Sequence, residues 1–281
     1  MINFEYHAPK TIDDALEQLS TKEKTAVLAG GTDLVVQLKE NKVCLENLVS
    51  LRYLQELKEI TVQPNGDLKI GVMATISDII KSPLVADFST AIKEALSTIG
   101  SNQIRNMATI GGNICNASPA ADSAPILLVL DSSVEIISKS GTKLIPLKNF
   151  FLGKGQTALK KGELLSAVII PAKTKDYKVK YYKLGVRQSI DIAVVSVALA
   201  LKIKDGICED ARIALGSVSD RPMRAIKTEE LLKGTTLPDN LDQISENIKK
   251  ECTPITDIRA TADYRREMVG TLTKRGILSI C

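Results

Sequence analysis

Tryptophan is absent from this chain of 281 residues, aromatic side chains make up only 4%, and the one histidine is His7. So few aromatics leave no platform on which nucleic-acid bases could stack. Charge of one sign is also missing: 37 Lys and Arg face 33 Asp and Glu, interleaved along the chain, for a net charge of +4. That surplus is too small for an electrostatic footprint on nucleic acid, so no nucleic-acid partner is expected. The five cysteines, Cys44, Cys115, Cys208, Cys252 and Cys281, are widely spaced and include no Cys-x-x-Cys pair. A zinc ribbon or a local iron–sulfur ligand run is thereby excluded, and reduced thiols are expected. With a single histidine near the N-terminus, neither a His-dependent triad nor a His-rich metal centre is expected. No run approaches the ~20 apolar residues that cross a bilayer. The start, Met1 to His7, has neither a basic region nor an apolar one and does not read as a signal peptide. These absences predict a cytoplasmic chain with no metal site and no membrane association.

What remains is a globular composition, 44% apolar and 25% charged, in a length that suits two compact domains or one elaborated one. Thr11 to Leu19 carries a helix start signal, Thr11 with Asp14 three residues on, and Ile12, Ala15, Leu16 and Leu19 share one face. Thr25 to Ala29 reads as a short buried strand, and Leu34 to Glu40 as a helix. Asn65-Gly66 between Glu59–Val62 and Leu68–Val72 is a hairpin signal. Ser77–Lys81 and Thr90–Ile99 read as helical, Val134–Ile137, Lys143–Pro146 and Leu164–Ile170 as strands. Ala172 to Asp176 is polar and is the best linker candidate. Beyond it come strands at Tyr177–Leu184, Ala193–Lys204 and Ile207–Leu215, then helices at Thr228–Leu232, Leu241–Lys250 and roughly 259–275. Mixed helices and hairpin strands make the fold class α+β.

Two stretches stand out. Ala29-Gly30-Gly31-Thr32-Asp33-Leu34 follows a strand and opens a helix, an arrangement that presents free backbone N–H groups to an anion. Thr109-Ile110-Gly111-Gly112-Asn113 leads into small and polar residues, Asn116, Ser118 and Asp122 among them, with almost no bulk. Neither stretch matches G-x-x-x-x-G-K-[ST] or G-x-G-x-x-G, so a P-loop and a Rossmann site are unsupported. An ordinary tight turn capped by Thr32 or Asp33 also accounts for the first stretch. Together, two Gly-Gly turns gripping one pyrophosphate from opposite sides is the expected device, with backbone amides as the anion ligands. These residues by themselves point to a phosphorylated ligand, of which a dinucleotide is one kind.

In this order and spacing, Ala29 to Leu34 with Arg105-Asn106-Met107-Ala108-Thr109-Ile110-Gly111-Gly112-Asn113 resembles the FAD-binding medium subunit of the molybdenum hydroxylases. That family includes carbon monoxide, xanthine and nicotinate dehydrogenases. The resemblance covers the whole chain, from Phe4-x-Tyr6-x-x-Pro9-x-x-Ile12-x-x-Ala15-Leu16 to Tyr182-Lys183 and Asp191-Ile192-Ala193. It implies a two-lobed FAD-binding fold of the vanillyl-alcohol-oxidase (PCMH) type over 1–175, with lobes at about 1–55 and 56–175. A smaller α+β domain of the carbon monoxide dehydrogenase flavoprotein type follows over 176–281. It further implies that Val27, Leu28, Ala29, Gly30, Gly31, Thr32, Asp33 and Leu34 lie along the FAD pyrophosphate. Thr109, Ile110, Gly111, Gly112 and Asn113 do the same from the other lobe. Asp122 is expected to contact FAD, Ile99 and Leu165 to line its rings, and Lys183 to lie near the isoalloxazine. Leu165 and Ile99 equally suit the core, Asp122 a helix cap, and Lys183 a strand end. These are binding residues; no side chain is expected to be catalytic.

The implied partners are a molybdopterin-containing large subunit and a [2Fe–2S] small subunit, with NAD as one possible electron acceptor. The cysteine-rich insertion of the 4-hydroxybenzoyl-CoA reductase branch is missing. A free-standing FAD oxidase or reductase of the same superfold is the rival reading, and a non-catalytic nucleotide-binding module a second. A branched side chain at Gly111 is expected to block the pyrophosphate.

Overall fold

The computed structural model describes residues 3–187 and 190–281. Gln188 and Ser189, in the segment after Lys183, lie outside the described residues, as do Met1 and Ile2.

The N-terminal lobe runs β1 (Glu5–His7), α1 (Ile12–Thr21), β2 (Thr25–Leu28), α2 (Leu34–Lys39) and β3 (Asn47–Ser50). Its three strands form a parallel sheet in the order β1-β3-β2. Thr11 caps α1 as its sequence signal predicts, its side chain accepting from the Asp14 N–H. Strand β2 is half-buried along its whole length rather than buried, because Val27 and the adjoining Ala29 wall a cleft.

The second lobe opens with the hairpin β4 (Ile60–Val62) and β5 (Leu68–Gly71). A helical stretch follows: α3 (Ile76–Lys81), α4 (Pro83–Phe88), α5 (Thr90–Ser97), α6 (Asn102–Arg105), α7 (Ile110–Cys115) and α8 (Ser123–Val129). Pro83 starts α4 at a position where its missing N–H costs nothing, with Ser82 as the cap. The lobe closes with β6 (Ser133–Ser138), β7 (Gly141–Pro146), the small pair β8 (Phe151–Gly153) and β9 (Gln156–Thr157), and β10 (Leu164–Ile170). Its sheet is antiparallel in the order β4-β5-β10-β6-β7. Strand β10 sits centrally and is buried throughout.

The C-terminal domain is an antiparallel sheet of β11 (Lys178–Leu184), β12 (Val195–Lys204), β13 (Ile207–Gly216) and β14 (Met223–Arg224). Helices α9 (Ile226–Leu232), α10 (Leu241–Glu251) and α11 (Ala262–Ile280) cover one face. Helix α11 starts later and ends later than the sequence pattern gives, because Thr261 supplies the N-cap.

Strand β12 is buried on both faces, which its near-continuous apolar run requires. Val197, Leu199 and Leu201 join the core of the C-terminal helices. Ala198 and Ala200 of the same strand, with Ala214 and Tyr181, join the core of the two N-terminal lobes. Small side chains on that face let the sheet approach α8 closely. Gly216 shows how closely: a Cβ there would lie 2.3 Å from Ser196 Oγ and 3.2 Å from Pro125 Cγ.

The expected linker, Ala172–Asp176, is not free. It forms a turn of 3-10 helix with Thr174 buried, and Asp67 Oδ1 accepts from the Ala172 N–H at 2.8 Å. Its polar composition reflects a solvated outer face. Two arginines of the C-terminal domain reach the carbonyl end of α8: Arg212 donates to Val129 O at 3.4 Å and Arg224 to Leu128 O at 3.3 Å. Cations there complement the helix dipole.

Candidate functional site

Between the lobes lies a cleft of about 290 Å³. One wall is the β2–α2 turn and the other is α7 with the residues before it. Gly30 explains why they meet: a Cβ there would fall 1.8 Å from Met107 O. Only a glycine allows the two backbones to touch. Gly31 adopts φ +73°, and there its missing side chain removes the strain of a left-handed turn.

The turn leaves its amides open. The backbone N–H groups of Gly30, Gly31, Thr32, Asp33 and Leu34 find no acceptor among the described residues, while Val35 N resumes with Gly31 O at 3.1 Å. Such a run of unpartnered donors suits an anion. No lysine or arginine lines this cleft among the described residues, and Asp33 is its one formal charge, turned to accept from Gln37 Nε2 at 2.6 Å. A phosphate here would rest on main chain.

The second stretch differs from its expected form. Thr109 to Asn113 is not an open turn with free amides but the capped start of α7. Ile110 N donates to Ala74 O, Gly111 N to Val72 O, Gly112 N to Thr109 Oγ1 and Asn113 N to Thr109 O. Free amides, expected on both walls, are therefore presented by the β2–α2 turn and not by Ile110 to Asn113. The second wall contributes a smooth surface and the Asn113 side chain, which Ser123 Oγ holds at 2.5 Å.

The two glycines of this wall also part company. Gly111 is buried, and a Cβ would meet Val72 Cβ at 2.5 Å and Val72 O at 2.8 Å. Gly112 is exposed to the cleft, and a Cβ would sit 3.1 Å from Thr109 Oγ1 and 3.9 Å from Ala29 Cβ on the facing wall. The side chain that would obstruct the cleft is thus one at 112. At 111 it would strike the second lobe.

The cleft continues into an apolar slot of about 120 Å³, the two sharing Val27, Ala29, Gly112 and Cys115. Leu165, Leu164, Val72 and Leu51 wall the slot, which suits a flat ring. Cys115 stands at the junction; burial pushes its thiol up to about 12. It stays a protonated, inert thiol at neutral pH. His7 is also remote from the cleft, bonded to Asn47 Oδ1 at 3.0 Å.

Most of the sequence-derived set converges here. Val27, Ala29, Gly30, Gly31, Thr32, Asp33, Leu34, Thr109, Gly112 and Asn113 line the cleft, and Gly111 and Leu165 the slot. Others do not line it. Leu28 packs with Leu38, Leu45 and Leu48 under the first sheet. Ile99 and Ile110 lie in the main core. Asp122 stands at the N-terminus of α8 but makes no cap bond; its carboxylate pairs with Lys183 at 2.7 Å and accepts from Tyr181. Lys183 walls a separate cavity of about 350 Å³, with Thr98, Gly100 and Arg105. Ala108, Gln37, Cys115 and the slot residues Leu51, Val72 and Met73 were missed. Their local sequence carries no turn or charge signal; only folding brings them to the cleft.

A slot for a ring, continuous with a main-chain anion cradle at the junction of two lobes, defines a dinucleotide-cofactor-binding protein. The family model described as the FAD binding domain in molybdopterin dehydrogenase matches residues 2–173. That of the CO dehydrogenase flavoprotein C-terminal domain matches 180–280. The xanthine dehydrogenase FAD-binding subunit of Escherichia coli O157:H7 is 32% identical over 274 residues, covering 97% of this chain and 94% of that one. The glyceraldehyde dehydrogenase medium chain of Sulfolobus acidocaldarius is 34% identical over 278 residues, covering 99% and 98%. Among solved structures, reconstituted CO dehydrogenase from Oligotropha carboxidovorans superposes with a TM-score of 0.95 at 32% identity, covering 100% of this chain and 99% of that one. The chain belongs to the FAD-binding subunits of the molybdenum hydroxylases.

Proposed function

We propose that this chain holds FAD non-covalently and acts as the electron-transfer subunit of a molybdenum hydroxylase complex. Electrons come from a [2Fe–2S] small subunit that serves a molybdopterin-containing large subunit, and leave to NAD⁺ or another acceptor. The observation that carries the reading is the run of five amides, Gly30 to Leu34, without an acceptor among the described residues and facing Gly112 across the cleft. Val27 to Leu34 and Thr109 to Asn113 are assigned to the pyrophosphate, some through main chain alone, and Leu165 to a ring in the slot. Ile99 is assigned to the ring-lining set, and Asp122 and Lys183 to the flavin end. FAD supplies the redox chemistry when bound; the protein binds and orients it.

Two observations support this reading over a free-standing, covalently flavinylated oxidase: the inert Cys115 and the remoteness of His7. The chain is assigned a cofactor domain at 1–175 and a second domain at 176–281, supported by their largely separate cores. No described helix is long and apolar enough to cross a membrane.

Titration of the purified chain with FAD, followed by flavin absorbance and intact mass, tests the proposal. One FAD per chain with no mass adduct is expected. A preparation that stays colourless in excess FAD while binding its partner subunits would favour a scaffolding module instead.

A further inference from the structure

Strand β11 pairs with β12 so that Tyr181 lies opposite Ala198 and Lys183 opposite Ser196. Two residues apart, both side chains leave the same face, toward the cofactor domain. Lys183 Nζ donates to Asp122 Oδ2 at 2.7 Å, to Thr98 O at 2.9 Å and to Asp191 O at 2.9 Å. Its three protons are all committed. It closes the carbonyl end of α5, where a cation complements the helix dipole. The side chains of Lys183 and Asp122 are each only 9% exposed.

One oxygen of this arrangement depends on a single residue. Asp122 Oδ1 accepts from the Tyr181 hydroxyl at 3.1 Å and has no other partner among the described residues. Tyr181 itself is buried. The hydroxyl thus fixes the rotation of the carboxylate, and the carboxylate fixes the ammonium on the wall of the cavity shared with Arg105 and Gly100.

We propose that Tyr181, a residue of the C-terminal domain, is a positioning residue of the flavin site, locking the Asp122–Lys183 pair in place for the cofactor. The inference rests on the FAD reading above. It makes the second domain part of the cofactor site and not merely a cover for the first.

The charged and titratable groups facing Asp122 are Lys183 and Tyr181 from β11 and Asp191 from the loop after it. Burial raises the Asp122 carboxyl above its ordinary range, while Lys183 and the Tyr181 hydrogen bond pull it back. Removing the hydroxyl raises it further.

The test is Tyr181→Phe in the full chain, with FAD affinity and the flavin midpoint potential measured across the neutral pH range. The variant is expected to bind FAD about tenfold more weakly, the loss of one hydrogen bond to a charged group. Saturated with FAD, the variant is expected to show a midpoint potential displaced from that of wild type. Wild-type affinity and a superimposable potential profile in Tyr181→Phe would overturn the assignment. So would a variant that melts well below wild type yet shows the wild-type profile once saturated with FAD, which marks a purely structural hydroxyl. Failure of the wild-type chain to bind FAD sinks the parent reading instead, so the two failures are distinguishable.

Discussion

Adjacent glycines look interchangeable in a sequence, and here they are not. Gly111 is a packing residue with Val72 against its missing side chain, and Gly112 faces the cleft. Gly111→Val is expected to cost about 1–3 kcal/mol of stability by overpacking, read in urea unfolding. Gly112→Val is expected to leave the chain folded and abolish FAD binding, since its methyl groups occupy the narrow passage opposite Ala29. Retention of full FAD affinity in Gly112→Val would remove α7 from the cleft wall. The importance of Gly30-Gly31 and Gly111-Gly112 was legible from residue type and spacing. Which glycine serves which purpose was not, because that depends on Val72 and Met107, partners distant in the chain or in the other lobe.

At the level of elements, local signals were read well where the partner was also local. Thr11 caps α1, Asn65-Gly66 turns the β4–β5 hairpin, and Asp205-Gly206 turns β12 into β13. Ser123 to Val129 fold as α8, buried along its whole length. The small residues after Thr109 resolve into α7, whose start rests on the Thr109 side chain. Thr109→Ala is expected to cost about 1 kcal/mol, as loss of an N-cap does, and to weaken FAD binding because Thr109 also lines the cleft. Unfolding and FAD titration of the one variant check both. An unchanged stability would mean that α7 is held by packing alone.

Across the whole molecule, charge joins the two domains. Lys183→Met would leave Asp122 buried without its counter-ion and is expected to cost about 3–5 kcal/mol. Adding Asp122→Leu should restore most of that stability, since no unpaired charge then remains; a double-mutant cycle measures the difference. Acid should loosen the same junction. Burial opposes ionisation of Asp131 and Asp210, but Lys173 holds Asp131 and Lys233 with Tyr177 holds Asp210, and Arg212 lies near both, so each carboxyl falls below its ordinary range. A depressed folded value means stability present above the ordinary carboxylate range and lost as pH falls through the folded value. Melting temperature should therefore drop steeply below about pH 4, and Asp210→Asn should flatten that drop.

The sequence by itself determined the α+β class, the capped helices, the hairpins, the two glycine stretches and the family they mark. Each depends on contacts within a few residues or on an ordered motif. Tertiary structure decided which amides stay free, which glycine borders the cofactor cleft, and that Tyr181 and Lys183 reach across to Asp122. Those outcomes turn on distances between residues far apart in the chain, set only when the two lobes and the second sheet pack together.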